Sequence, residues 1–193
     1  PLRLYEICAV SDGAAAVVLG TVKEARKRTA KPVMVAASTT ATGQFGDPQI
    51  RIPEISTMPK PGTSHTSEVA GAVQRAYEMA HIGPKEINFI ELMDASSWQE
   101  LAWPEIFGLC QPGESDWMVE HDQTGIDGRL PINPSGGFLS FGEATTAMGL
   151  WQICELVSQL RGQSGPRQIA NAKVGMATTL GLGANGSAII LKA

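Results

Sequence analysis

The chain has 193 residues, of which 43% are hydrophobic and only 18% charged, and its formal net charge is -4. This length suits one domain with a well-filled core, so a small disulfide-stapled fold is unnecessary. The acidic balance argues against nucleic-acid binding, no apolar stretch reaches the length of a membrane helix, and no signal-peptide pattern is present. A surface with so few charges predicts cover by another subunit, so we expect a homodimer.

The three cysteines are an odd number and form no Cys-x-x-Cys pair. They indicate neither a disulfide framework nor a structural metal site, and they predict a reducing, cytoplasmic protein. Cys110 and Cys154 are interpreted as small core residues rather than activated thiolates. Because the chain begins at Pro1 inside the pattern PLRLYEICAV, we expect the protein to start earlier.

Apolar runs alternate with amphipathic stretches in the first part of the chain, as is typical of an α/β protein. Residues 14–19 (AAAVVL) and 32–37 (PVMVAA) are predicted strands, and the basic residues 22–28 between them form a short helix or turn. Residues 38–66 are rich in Thr, Gly and Pro, which predicts a long loop. Such loops are usually functional or interfacial, so this one covers either a dimer interface or a cleft.

Residues 69–100 predict a helix, a strand and the turn that leads from this strand into a further helix. One apolar stripe with helical spacing runs from Val69 to Ala80, and Gly83-Pro84 ends it. Residues 87–93 (INFIELM) then predict a strand, with Asp94 at its end and a capping box at 97–100 opening a further helix. Asp94 therefore stands at a strand-to-helix corner, where ligands gather in open α/β sheets.

The remainder of the chain predicts a helix over residues 145–160, ended by Gly162, and two strands over residues 174–180 and 187–191. Asn185-Gly186 between these strands is a strong hairpin signal, so the chain is expected to end on an antiparallel pair. The strands near Ala14, Val33, Ile87, Val174 and Ala188 are predicted to share one mixed sheet flanked by helices.

Two glycine-rich motifs each have a structural and a functional interpretation. Residues 181–186 (GLGANG) match G-x-G-x-x-G, but a strand follows them, so a glycine-rich hairpin is favoured over a dinucleotide site. Residues 133–137 (NPSGG) form either a simple Pro-Gly loop or a site in which backbone N–H groups bind an oxyanion. Glu143 follows them, and a carboxylate near a helix start often only complements the helix dipole. His65, His81 and His121 are interpreted as surface residues.

Three stretches, taken in order, resemble the thiolase superfamily, and within it the sterol-carrier or lipid-transfer type. They are residues 11–16 (SDGAAA) before an apolar run, residues 133–137 (NPSGG) and residues 181–186 (GLGANG). The resemblance implies an α/β fold, namely the C-terminal half of a dimeric, layered αβαβα sandwich that handles acyl-CoA thioesters. It divides the chain into residues 1–28, the end of an N-terminal half, and residues 29–193, a C-terminal domain.

The sequence departs from this family at three places where the family carries histidines. Met93-Asp94 replaces a His-Asp pair, Gly142-Glu143-Ala144 replaces Gly-His-Pro, and Thr178-Thr179 replaces His-Asn. Imidazoles stabilise a thioester enolate and activate a thiol near neutral pH, and Met93 can do neither. Ordinary thiolysis is therefore not expected. The resemblance also places the family's nucleophilic cysteine in the N-terminal half, and Cys8 does not match it.

The resemblance leaves two functions open. One is non-thiolytic carbon–carbon cleavage of the retro-aldol type on acyl-CoA or steroid-CoA esters, as in thiolase-like aldolases of steroid side-chain degradation, which work with a small OB-fold partner protein. The other is a non-catalytic acyl-CoA-binding or assembly subunit. Neither function requires a cofactor beyond the coenzyme A thioester substrate. The implied catalytic residues are Glu143 and Asp94, and the implied substrate-binding residues are Asn133, Gly136, Gly137, Thr178, Thr179, Gly181 and Gly183.

Overall fold

The structure, a computed structural model, describes residues 2–42, 68–181 and 185–193. Short 3-10 turns lie at Leu4–Glu6, Pro84–Glu86 and Gly165–Arg167. The longer elements, in chain order, are α1 (Val22–Arg28), β1 (Met34–Thr42), α2 (Glu68–Ala80), β2 (Phe89–Leu92), α3 (Ser97–Ile106), α4 (Ser115–Glu120), α5 (Gly137–Phe141), α6 (Met148–Arg161), β3 (Val174–Gly181) and β4 (Asn185–Lys192).

The four strands form one mixed sheet in the order β1-β4-β3-β2. β4 pairs antiparallel with both β1 and β3, while β2 pairs parallel with β3. The predicted mixed sheet and the predicted terminal antiparallel pair are therefore confirmed. The parallel pair puts the C-terminal ends of β2 and β3 at the same edge, next to the corner that begins at Asp94.

Helices α2 and α6 pack on opposite faces of this sheet, which gives three layers. Met176 of β3 joins the core cluster that contains the apolar stripe of α2, whereas its neighbour Ala177 joins the cluster that contains Leu156 and Leu160 of α6. Successive side chains of a strand point to opposite faces, so the two clusters must lie on the two sides of the sheet. The α2 stripe predicted from the sequence is buried, apart from the half-buried Ala80.

The predicted strand at residues 14–19 is not formed. The segment has no regular secondary structure, and Val18 and Leu19 are 100% and 79% exposed. A strand needs a neighbour for its backbone N–H and C=O groups, and none of the described strands pairs with this segment. Its apolar character therefore lies on the surface of the described chain rather than inside the sheet.

Several element boundaries differ from the predicted ones. Residues 38–42, predicted as loop, belong to β1, because their threonines pair with β4 and β-branched residues suit strands. The rest of the predicted loop, residues 43–66, lies outside the described residues. The predicted strand 87–93 is shorter, at Phe89–Leu92, because Ile87 still closes the 3-10 turn begun at Pro84. Helix α3 is capped by Ser96 and Gln99, one residue earlier than the predicted box.

The last helix and the last strand also begin at residues other than the predicted ones. Helix α6 begins at Met148 rather than Thr145, and it ends at Gly162 in the left-handed conformation, as predicted. Asn185 and Gly186, predicted as the hairpin turn, are already part of β4, since Gly181 pairs with Asn185. A Cβ on Gly186 would overlap the backbone at the start of α2. A glycine is needed here because β4 passes close to α2, and not because the chain turns.

The short helices α4 and α5 were not predicted. Cys110 is buried as predicted, whereas Cys154 is exposed and is no core residue. His81 and His121 are exposed as predicted, and His65 falls outside the described residues. Over the described ranges, no helix is long and apolar enough to span a membrane, and no three His, Cys, Asp or Glu side chains cluster in a way that suits a metal ion.

Candidate functional site

Asp94 is fully buried at the corner after β2 and caps helix α5. Its Oδ1 accepts the Phe138 N–H at 2.7 Å and its Oδ2 accepts the Leu139 N–H at 3.1 Å. Burial raises the pKa of this carboxyl to about 7, although the two backbone N–H groups oppose the rise by favouring the charged form. A Cβ on Gly137 would overlap the Asp94 carboxylate, so only glycine lets α5 begin this close to it.

The polar groups of the 133–137 loop are engaged within the chain. The Asn133 side chain accepts the Leu92 N–H through Oδ1 at 2.8 Å and donates through Nδ2 to Glu100 at 2.9 Å. The Gly136 N–H donates to the Asn133 carbonyl, and the Gly137 N–H donates to Ser135 Oγ. The structure thus places Asn133, Gly136 and Gly137 beside Asp94 as parts of one hydrogen-bonded turn. That they bind substrate stays a prediction.

Glu91 is a second buried carboxyl under the same loop, and sequence reasoning missed it. Its Oε1 accepts the Ser135 N–H at 3.0 Å and its Oε2 accepts the Ser135 hydroxyl at 2.7 Å. Burial raises the pKa of Glu91 to about 8, Ser135 lowers it, and the nearby Glu155 and Asp94 raise it further. The available signal was an acidic residue inside the apolar run INFIELM, where a strand buried on both faces has no solvated side.

These raised pKa values predict that stability falls as the pH rises through neutrality. A carboxyl whose folded pKa exceeds its unfolded value stabilises the fold below the unfolded pKa, and that contribution is lost as the pH rises through the folded pKa. For Glu91 the window runs from 4.5 to about 8, and for Asp94 from 3.8 to about 7. Between pH 5.5 and 8.5 we expect the titration of Glu91 to lower the free energy of unfolding of the wild type by on the order of 3 kcal/mol, at about 1.4 kcal/mol per pKa unit. Glu91→Gln cannot titrate and should lack this decrease.

The measurement is the free energy of unfolding by urea at several pH values. The exposed Glu120→Gln is the matched control, because it makes the same charge change on the surface of α4 and should keep the wild-type slope. An equally steep slope in Glu91→Gln and in the wild type would show that Glu91 does not titrate in this window.

Residues 7–11 connect the Asp94 corner with Glu143. The Cys8 N–H donates to the Ala95 carbonyl at 3.0 Å, and the Glu143 N–H donates to the Ala9 carbonyl at 2.6 Å. The Ser11 N–H returns a bond to the Glu143 carbonyl at 3.0 Å. This segment, named the bridging segment here, lies between the two loops that carry the predicted catalytic carboxylates.

Glu143 is half-buried and its side chain meets Cys8, with 3.8 Å between Oε2 and Sγ. The pKa of the Cys8 thiol rises to about 11 because of burial, the Glu143 charge and hydrogen bond, and the Asp94 charge. Glu143 therefore contacts the Cys8 thiol directly, whereas Asp94 affects it only through its charge. Helix α6 begins only at Met148, beyond Glu143, and it is Asp94 that caps α5, so the interpretation that Glu143 complements a helix dipole stays untested.

The predicted residues of β3 lie at the same edge of the sheet as β2's end. Thr179 Oγ1 lies 3.7 Å from the Met93 sulfur, which also accepts the Leu180 N–H at 3.3 Å. Thr178 is buried, and its Oγ1 has no hydrogen-bond partner in the described part of the chain. Met93, at the place of the family's first histidine, and Thr179, at the place of the asparagine in His-Asn, are therefore in contact. Gly181 ends β3, and Gly183 lies outside the described residues.

The chain is similar in sequence to a known family model and to several known proteins. A family model described as "Thiolase C-terminal domain-like" matches residues 49–193. An acetyl-CoA acetyltransferase of Methanothermobacter thermautotrophicus is 35% identical over 98% of this chain and 47% of its own length. Sterol carrier protein 2 of Rattus norvegicus is 35% identical over 98% of this chain and 33% of its own length.

A solved structure titled "Ltp2-ChsH2(DUF35) aldolase" matches with a TM-score of 0.65 and 27% identity, over 84% of this chain and 40% of that one. The chain thus spans half or less of the length of the relatives it matches. The relatives also include a non-specific lipid-transfer protein-like 2 of Caenorhabditis elegans, 33% identical over 96% of this chain. The family model, the relatives and the three-layered fold agree that the chain belongs to the thiolase family and carries its C-terminal domain.

Proposed function

We propose that the chain is part of a thiolase-like lipid-transfer protein that acts on acyl-CoA or steroid-CoA esters and cleaves a carbon–carbon bond by a retro-aldol reaction, without thiolysis. The observation that carries this proposal is the placement of Glu143. Its half-buried carboxylate meets the Cys8 thiol beside the Asp94 corner, and no histidine stands with it among the described residues. Such a carboxylate suits removal of a proton from a hydroxyl group.

The proposed reaction balances without a further reactant. Glu143 takes the proton of a β-hydroxyl group, the Cα–Cβ bond breaks, and Cβ becomes the carbonyl carbon of the released ketone. The electron pair passes to the thioester enolate, which takes a proton back at Cα. Because Glu143 is neutral after it has accepted the proton, it does not repel the enolate oxygen as an anion would. Asp94 contributes by holding the 133–139 turn in place.

The relatives support the class of substrate, and the solved structure supports the class of reaction. Two of them have names that include coenzyme A thioester chemistry, acetyl-CoA acetyltransferase and a benzoylsuccinyl-CoA thiolase subunit of Thauera aromatica. The solved structure is titled an aldolase and pairs Ltp2 with ChsH2(DUF35). We extend the proposal to a homodimer with a small OB-fold partner protein, and to residues 1–28 as the end of an N-terminal half. The exposed apolar surface of Val18 and Leu19 supports cover by further protein.

The test is an assay of the purified full-length protein, with its partners, on two substrates. We expect β-hydroxyacyl-CoA, including a steroid side-chain ester, to yield a ketone and a shortened CoA ester. We expect 3-oxoacyl-CoA with free coenzyme A to yield no thiolysis product. Robust thiolysis would contradict the proposal. Tight binding of the CoA esters with neither reaction would favour the alternative function, a non-catalytic acyl-CoA-binding subunit.

A further inference from the structure

Cys8 contacts the Glu143 carboxylate through its side chain and binds the residue that follows Asp94 through its backbone. Its Sγ is 3.8 Å from Glu143 Oε2, and its backbone N–H is bound by the carbonyl of Ala95, the residue after Asp94. The Glu143 charge, in contact with the thiol, and to a smaller extent the Asp94 charge favour the protonated form of Cys8. A protonated thiol is a donor, so its contact with Glu143 is an S–H group directed at a carboxylate oxygen.

The backbone of the bridging segment, residues 7–11, pairs with a neighbouring segment on each side of Cys8. Ile7 forms an antiparallel bridge with Ser96, and Val10 forms a parallel bridge with Glu143. A Cβ on Gly142 would overlap the carbonyl of Ala9 and the side chain of Ser11, so the glycine lets the Glu143 loop lie directly on the segment. The position of Cys8 relative to Glu143 is therefore set by backbone contacts and not by the thiol contact alone.

We propose that Cys8 is a positioning residue: its protonated thiol donates to Glu143 and holds that carboxylate in place beside the Asp94 corner. A glutamate side chain has three rotatable bonds, and fixing them before substrate binds reduces the entropy lost in reaching the reactive geometry. The catalytic meaning of this inference rests on the proposed function, whereas the pairing of the thiol with the carboxylate does not. A thiol that donates to Glu143 is not the thiolate that a nucleophilic cysteine requires, so Cys8 is assigned no nucleophilic role.

The first experiment measures the pairing without any turnover. The full-length protein is treated with iodoacetamide at about pH 8.5, and the tryptic peptides are quantified by mass spectrometry. Trypsin releases Cys8 in residues 4–23 and Cys154 in residues 130–161. We expect Glu143→Gln to raise the alkylation rate of Cys8 about tenfold and to leave that of Cys154 unchanged, since removing the charge lowers the thiol pKa. An unchanged Cys8 rate, or an equal rise at both cysteines, would overturn the pairing.

The second experiment measures positioning by rescue. Cys8→Ala removes the donor, and we expect it to lower kcat for β-hydroxyacyl-CoA cleavage about tenfold with KM changed less than about twofold. Cys8→Ser keeps a donor and should retain kcat within about threefold. Cys154→Ser, at an exposed site on α6, is the matched control and should behave as wild type. Wild-type kcat in Cys8→Ala would overturn the positioning role.

The two experiments distinguish a wrong proposed function from a wrong role for Cys8. If the wild type shows no cleavage at all, the proposed function is wrong, and the alkylation rates still decide whether Cys8 pairs with Glu143. If cleavage occurs and depends on Glu143 but Cys8→Ala is unaffected, the function stands and the inference about Cys8 is overturned.

Discussion

Replacing Glu143 by Gln is expected to lower kcat for β-hydroxyacyl-CoA cleavage by about two to four powers of ten, the usual contribution of a general base. Glutamine keeps the size of the side chain and an oxygen for the Cys8 thiol, and the backbone bond from the Glu143 N–H to the Ala9 carbonyl is untouched. It cannot take up a proton. The loss should therefore appear in kcat, with KM changed only a few-fold, because the ground-state contacts remain.

The control for this variant is Glu120→Gln, which makes the same charge change at an exposed position on α4. It should cleave the substrate at the wild-type rate. Unchanged turnover in Glu143→Gln would eliminate Glu143 as the base. Unfolding curves of both variants establish that any loss of kcat is chemical and does not come from unfolded protein.

Replacing Gly137 by Ala is expected to lower the free energy of unfolding by about 3 to 5 kcal/mol. Gly137 has φ +67°, which costs a residue with a Cβ free energy, and that Cβ would also overlap the Asp94 carboxylate. To relieve the overlap, Asp94 must give up its bonds from the Phe138 and Leu139 N–H groups while it stays buried. The measurement is urea unfolding at pH 7.

Gly165→Ala separates the two causes of this loss. Gly165 has φ +57°, close to the value at Gly137, but a Cβ there would have open space around it. This control should lose only the conformational part, about 1 kcal/mol. If both variants lose the same free energy, the close approach of the glycine to Asp94 contributes nothing to stability.

The elements with strong periodicity could be predicted from the sequence. The stripe from Val69 to Ala80 predicted α2, and the apolar residues up to Leu160 followed by Gly162 predicted α6 and its end. Both predictions succeeded because burial of one face and a left-handed glycine are local demands that each helix makes on its own residues. The apolar run at residues 14–19 failed as a predictor, since a strand exists only where another strand pairs with it.

The candidate site likewise contains features that the sequence predicts and contacts that only the fold creates. The sequence by itself determined the family and the mixed sheet, and it predicted that Met93, Glu143 and Thr178 stand where the family carries histidines, because all of these depend on residue type and order. Only the tertiary structure decided which carboxylate caps a helix, that Glu91 holds Ser135, and that Cys8 meets Glu143 across 135 positions of sequence. Such contacts form where the backbone folds distant segments together, and no local pattern in either segment encodes its partner.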